Sequence, residues 1–171
     1  LETRPFPGGG YLQVYSALCG GWAYTYLADF FQKVIEQVGG VSIPLSEIYD
    51  RMQPFADGTE CGDLVVDPRF AGERCGPVEK GSISRIDTSN LTPANVTRAF
   101  ANGIAGELAA AALEISFVAA GGLTVVGNAA HRNPLLVRAL EEQLGTKCRL
   151  LPSGGLEAAL GAARLVTRLN F

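Results

Sequence analysis

Two stretches of this chain combine glycine, small side chains and a following helix, the arrangement that phosphate-bearing ligands need. The first is Val125-Val126-Gly127-Asn128-Ala129-Ala130-His131-Arg132-Asn133-Pro134, which reads as a strand, a loop of small residues, and a helix entered through Asn133 as cap with Pro134 at its first position. The second is Gly20-Gly21, where a β-favouring segment ends and a long helix begins. A turn without side chains lets a ligand approach the backbone, and the free N–H groups and dipole of the helix behind it favour negative charge. Neither stretch is the GxGxxG dinucleotide fingerprint or the GxxxxGK[ST] phosphate loop, and glycine after a strand most often serves the turn alone.

Other residue types invite chemistry less strongly. His131 is the single histidine and has no serine, cysteine or carboxylate at a spacing that suggests a triad, so it reads as a solvated residue and not as a base. Asp57, Glu60 and Asp63 lack the calcium-loop pattern and read as a solvated loop. Glu73-Arg74, in a glycine-bounded loop, reads as a pair that orders the loop's own polar groups. Trp22, Tyr24, Phe30 and Phe31 stand at helical spacing and read as core. Cys19, Cys61, Cys75 and Cys148 are irregularly spaced, with no C-x-x-C pair, and read as reduced thiols. No catalytic residue and no metal ligand is assigned within the chain.

The elements that would hold these residues can be read from apolar spacing. Tyr11 to Tyr15 is β-favouring and follows the Gly8-Gly9-Gly10 turn, which predicts a strand ending near Leu18 before Gly20-Gly21 breaks it. Ala23, Tyr26, Leu27, Phe30, Phe31, Val34, Ile35 and Val38 repeat at three and four, which predicts a helix buried along that face and stopped at Gly39-Gly40. A shorter helix is expected from Ser46 to Met52, with Pro54 in the loop beyond it, then strands at Leu64–Val66 and Gly81–Ile86. Thr92-Pro93 opens a helix whose buried stripe is Val96, Phe100, Ile104 and Leu108. The last third alternates strand Leu123–Val126, helix Pro134–Leu144, strand Cys148–Leu151 and helix Leu156–Leu169, a pattern that implies a parallel sheet. Ala158, Ala159, Gly161, Ala162 and Ala163 suit close packing of the last of these helices.

Composition narrows the partners. The 171 residues are 47% hydrophobic and 18% charged, which is the balance of a packed domain, and the reading is one domain across residues 1–171. A formal charge of −3, without any run of five Lys and Arg, gives no footprint for nucleic acid. Glu114, Ser116, Gly121, Gly122 and Asn128 interrupt the stretch Leu108–Ala130 before it could cross a bilayer, so no membrane is expected. Leu1-Glu2-Thr3-Arg4-Pro5 has neither a starting Met nor a signal layout, and the chain is expected to begin inside a longer, cytoplasmic protein.

At the strings already quoted a family resemblance enters. Leu123 to Pro134 resembles the adenosine motif of FGGY carbohydrate kinases, and Gly155-Leu156-Glu157-Ala158-Ala159-Leu160-Gly161-Ala162-Ala163 is similar to their final helix. Gly20-Gly21-Trp22, Phe70-Ala71-Gly72-Glu73-Arg74 and Ile86-Asp87-Thr88-Ser89-Asn90-Leu91-Thr92 match in order, so the resemblance spans nearly the whole chain. Gly-Glu-Arg followed by Ser-Arg-Ile, with Ser-Asn-Leu and Val-Thr-Arg-Ala, looks most like the sedoheptulokinase branch.

This resemblance implies an α/β domain of the actin-like ATPase (ribonuclease H-like) fold, the carboxy-terminal half of such a kinase, binding ATP or ADP, with Mg2+ carried on the nucleotide. By it, Gly20 and Gly21 lie against the phosphates, Gly127, Asn128 and Ala129 pass under the ribose and α-phosphate, and Arg132 and Asn133 border adenine. Asn128 stands where the wider family commonly has Gly. The resemblance also puts the catalytic base and the sugar contacts in an amino-terminal domain outside these residues, so the chain alone is expected to be inactive. Its exposed domain interface would favour self-association as a homodimer. The rivals are a kinase of the same family acting on xylulose or ribulose, and a non-catalytic module for nucleotide sensing or protein association; a catalytic Asp upstream would separate enzyme from module.

Overall fold

The computed structural model describes residues 1–7, 9–17, 20–56, 60–72, 81–115, 123–151 and 156–169. These residues form two compact units: a first made of Leu1–Ser16 with Ala109–Phe171, and a second made of Ala17–Leu108. Each carries its own buried side chains.

The second unit opens with α1 (Gly20–Gly39), which packs against α2 (Leu45–Ala56) as a helical hairpin. The rings of Tyr24 and Tyr49 stack with centroids 6.2 Å apart, and Gln32 Nε2 donates to the Ile43 carbonyl at 2.6 Å across the connection. The buried face of α1 is Ala23, Tyr24, Leu27 and Ala28, one residue round from the stripe that apolar spacing suggests. Leu27 and Ala23 stay inside, but Trp22, Tyr26, Phe30, Val34 and Val38 are exposed, Trp22 at 69% and Phe30 at 56%. The expectation that Trp22 and Phe30 are core is therefore corrected. α1 is apolar on more than one face, and the shorter side chains of Ala23 and Ala28 take the inner side because they let the two helices approach.

α2 runs on through Pro54, which sequence reading puts in the loop. Pro54 lies in the last turn of α2, where it gives up the bond its N–H would make to the Asp50 carbonyl, and the helix ends two residues beyond it. Ile48 and Met52, 2% and 1% exposed, form its inner stripe, and full burial of such side chains contributes roughly 1.5–3 kcal/mol each.

β3 (Val65–Asp67) pairs antiparallel with β4 (Ser82–Ser84), Val66 standing opposite Ile83. Asp67 closes β3 with a two-pronged bond from Arg69, Nε to Oδ1 at 2.9 Å and Nη2 to Oδ2 at 2.6 Å, which holds its carboxyl below the usual carboxylate range. The turn Asp87–Asn90 is tied by its own side chains: Asp87 Oδ1 accepts from Ser89 Oγ at 2.7 Å, Ser89 N at 2.6 Å and Asn90 N at 2.9 Å, and Asn90 Nδ2 donates to the Arg85 carbonyl at 2.9 Å. These bonds, the Ser89 hydroxyl first, pull the Asp87 carboxyl down in the same way. α3 (Pro93–Glu114) then starts as expected, with Thr92 Oγ1 accepting from Asn95 N at 3.2 Å. Val96, Phe100 and Ile104 are buried as the stripe predicts, and the rings of Phe70 and Phe100 stack at 5.5 Å.

In the first unit, β1 (Glu2–Phe6) pairs antiparallel with β2 (Gly10–Val14). Nothing in the apolar pattern announces β1, because every one of its residues is exposed; Pro5 is accommodated opposite Tyr11 because a two-stranded ribbon is all edge. The expected parallel pairing of the last third is present: β5 (Leu123–Val125) runs parallel to β6 (Cys148–Leu150), with α4 (Asn128–Arg132) and α5 (Pro134–Leu144) between them in sequence. Leu135, Ala139 and Leu140 form the inner face of α5. α6 (Glu157–Leu169) follows, and among the described residues Ala158, Ala159, Gly161, Ala162 and Ala163 on it are exposed. Among the described residues, no helix is long and apolar enough to cross a membrane.

Candidate functional site

The loop after β5 is shaped by Gly127. Its backbone sits at φ 96°, ψ 164°, a region that residues with a Cβ avoid. From there the Gly127 carbonyl accepts from Ala130 N and His131 N, both at 3.2 Å, and so starts α4. Among the described residues, no atom beyond the chain neighbours lies within 4 Å of where a Cβ at Gly127 would stand, so the glycine answers a backbone demand. Ala129 and Arg132 are exposed; the backbone of Asn128 begins α4, and its side chain lies outside the described residues.

Asn133 has the capping role that sequence assigns it. Its Oδ1 accepts from Leu136 N at 3.1 Å, Pro134 follows at the first helical position, and Asn133 is only 6% exposed. Gly127, Ala129, Arg132 and Asn133 are thus one continuous strand–loop–helix feature. No acidic residue stands in the first turn of α4 or α5 to oppose an anion.

Gly20 and Gly21 belong to the second unit, where they are the first turn of α1 itself and not a break before it. Among the described residues, no atom beyond the chain neighbours lies within 4 Å of an added Cβ at either, and the first turn of α1 also holds no acidic residue. Its position is fixed by a short relay: Tyr49 OH donates to Thr25 Oγ1 at 2.9 Å, and Thr25 Oγ1 donates to the Gly21 carbonyl at 2.9 Å. α2 thereby anchors the turn that presents Gly21. The sequence gives no sign of this relay, since Tyr49 and Thr25 are 24 residues apart.

His131 is not solvated as its place in the sequence suggests. Its side chain is 24% exposed, and its Nε2 lies 3.5 Å from Oε1 of Glu157, itself 13% exposed, at the start of α6. A cavity of about 290 Å³ lies elsewhere in this unit, at the carboxyl end of α5, lined by Arg138, Glu141, Glu142, Gly145, Thr146 and Lys147. Glu141 there is already engaged: Oε1 accepts from Cys148 N at 2.8 Å and Oε2 from Lys147 Nζ at 2.9 Å, which together lower its carboxyl and raise the Lys147 ammonium. Burial, with Glu141 nearby, pushes the Cys148 thiol up and away from reactivity. Among the described residues no three His, Cys, Asp or Glu side chains are grouped to hold a metal. Asp57 and the Glu73-Arg74 loop lie outside the described residues.

No family model matches the chain. Sedoheptulokinase of Homo sapiens is 30% identical over 172 residues, an alignment that covers 98% of this chain and 35% of the human protein. Sedoheptulokinase of Mus musculus is 32% identical over 106 residues, covering 61% of this chain and 22% of its own length. The chain therefore spans about a third or less of the curated relatives it matches. Among solved structures, a xylulose kinase from Rhodospirillum rubrum superposes with a TM-score of 0.66 at 20% identity, over 88% of this chain and 29% of that one. A xyloylose kinase from Brucella ovis gives 0.59 at 20% identity, over 85% and 30%.

The fold is that of the actin-like ATPase domains of sugar kinases, an α/β class in which helices and short sheets alternate. With the sedoheptulokinase relatives added, the chain belongs to the FGGY carbohydrate kinases, as a carboxy-terminal domain of that family.

Proposed function

We propose that this chain is the nucleotide-binding half of an ATP-dependent carbohydrate kinase, and that the complete protein phosphorylates sedoheptulose to sedoheptulose 7-phosphate. The observation that carries this reading is the 30% identity to human sedoheptulokinase sustained over 98% of the chain. The backbone at Gly20, Gly21 and Gly127 suits a phosphate-bearing ligand, because among the described residues no side chain crowds those positions against close approach to N–H groups.

In this reading Gly20 and Gly21 receive the phosphates, Gly127, Asn128 and Ala129 pass under the ribose and α-phosphate, and Arg132 and Asn133 border adenine. MgATP, when bound, supplies the phosphoryl group and the metal that neutralises its charge. The chain's own part is to hold the nucleotide still and dry. A base on an amino-terminal domain takes the proton of the sugar hydroxyl as its oxygen bonds to phosphorus and the bond to the ADP oxygen breaks. The second domain closes over the pair and keeps water from the γ-phosphate. The 171 residues alone do not turn over sugar, and their exposed apolar side chains favour a homodimer in solution, to be read by gel filtration at several concentrations.

The test is a coupled ATP-consumption assay on the longest natural form of the protein, offered sedoheptulose, xylulose, ribulose, glycerol and gluconate in parallel. Preferred turnover of sedoheptulose supports the reading; preference for another sugar overturns the substrate, and no turnover by a folded, ADP-binding protein overturns the enzyme in favour of a nucleotide-binding module.

A further inference from the structure

His131 and Glu157 are 26 positions apart, yet the fold sets the imidazole of one against the carboxylate of the other, joining α4 to the first turn of α6 within one unit. His131 Nε2 is shut off from solvent and, among the described residues, makes no hydrogen bond, with Glu157 Oε1 at 3.5 Å. A buried polar atom without a bond costs roughly 1–3 kcal/mol, so an orphan of this kind calls for a reason. The separation exceeds the 2.7–2.9 Å typical of a charge-assisted bond by well under 1 Å, so a slight approach of α4 to α6 closes it. The freedom for that approach lies one residue before α4, at Gly127, whose φ of 96° leaves the helix hinged on a backbone without a side chain.

We propose that His131 and Glu157 form a latch that sets the position of the loop Gly127–Asn133, and so act as positioning residues for the nucleotide. The role given to the loop rests on the proposed function; the latch itself rests on the contact between the two side chains. Both are less than a quarter exposed, so a bond between them is shielded from competing water. α4 has only five residues and too few internal bonds to hold itself, so a single side-chain tether at its far end carries more weight there than on a long helix.

The test compares the parent protein with His131→Ala, His131→Gln, Glu157→Gln and the double variant His131→Ala/Glu157→Gln. ADP affinity is measured by calorimetry, amide exchange over residues 128–132 by mass spectrometry in the nucleotide-free protein, and unfolding by heat. The latch predicts that His131→Ala and Glu157→Gln each weaken ADP binding by about 5- to 10-fold and speed exchange in α4. It also predicts that the double variant is no worse than either single one, since coupled residues are not additive, and that His131→Gln, which keeps an N–H at similar reach, restores most of the affinity. Unfolding midpoints of the nucleotide-free variants stay close to the parent's. Unchanged ADP affinity and unchanged exchange in folded variants overturn the latch while leaving the nucleotide reading intact. If the parent binds no ADP, the nucleotide reading fails, and exchange over residues 128–132 then decides the latch by itself.

Discussion

The backbone of α3 at Gly103 lies so close to β3 that a Cβ on Gly103 would stand 2.3 Å from the carbonyl oxygen of Val66 and 3.2 Å from its carbonyl carbon. Real Cβ atoms do not tolerate such contacts with backbone. α3 meets the β3–β4 ribbon here without an intervening side chain, which is how a ribbon of three-residue strands and a 22-residue helix share one core.

Gly103→Ala is therefore expected to destabilise the second unit by about 1–3 kcal/mol, the range for a forced overpacking. Gly106→Ala, three residues along the same helix with no atom within 4 Å, should be neutral or slightly stabilising because alanine is the better helix former. Denaturant midpoints of the two variants give the comparison, and equal midpoints would contradict it.

Gly21 separates binding from folding. No described residue crowds it, so Gly21→Asp should leave the unfolding free energy within about 0.5 kcal/mol of the parent, the usual range for a surface change. A carboxylate on the first turn of α1 opposes a phosphate directly, and ADP affinity should fall by roughly 10-fold or more. Tyr49→Phe, which removes the hydroxyl that donates to Thr25, should weaken ADP binding by only about 2- to 5-fold, since a net hydrogen bond contributes about 0.5–1.5 kcal/mol. Titration calorimetry reads both.

Gly127→Ala tests the opposite case, where space is free but the backbone is not. A side chain at φ 96° costs on the order of 1–3 kcal/mol. We expect a lowered melting temperature together with weakened ADP binding, because relief of the strain moves the loop.

Acid should loosen the protein in a defined way. Asp67, Asp87 and Glu141 all have carboxyls held below their ordinary values by hydrogen bonds, from Arg69, Ser89 and the Cys148 amide respectively. A lowered folded value means that the stabilisation is present above the ordinary carboxylate pKa, near 4, and is lost as pH falls through the folded value. Lys147 is raised, so its share is present below about 10.5 and lost as pH climbs beyond its folded value. Urea midpoints measured from pH 7 down to pH 2 should drop below pH 4, and Asp67→Asn should flatten part of that drop at a cost near 1 kcal/mol at pH 7. A parallel profile for parent and variant would refute the assignment to Asp67.

Where the chain carries discrete stop and start residues, its elements are legible. α5 runs from Pro134 to Leu144 because Asn133 caps it and Gly145 adopts the left-handed turn after it, both written in residue type. α1 has the expected limits, but its inner face is set by which helix lies against it. Two apolar stripes one residue apart, one through Tyr26 and Phe30 and one through Ala23 and Leu27, look alike in periodicity. β1 is invisible because exposure along its whole length erases the alternation that marks a strand. At the candidate site the glycines and the Asn133 cap follow from local sequence, while Tyr49–Thr25–Gly21 and His131–Glu157 are made by tertiary approach and leave no trace in spacing.

The most direct measurement of the central claim is photolabelling of the folded chain with an azidoadenine form of ADP, followed by mass mapping of the modified peptides. Label is expected on the tryptic peptides that meet between Arg132 and Asn133, displaced by excess unmodified ADP and reduced by Gly127→Ala. Label that maps away from residues 127–134, or that ADP does not displace, would contradict the assignment of this chain as the nucleotide-binding half of a carbohydrate kinase.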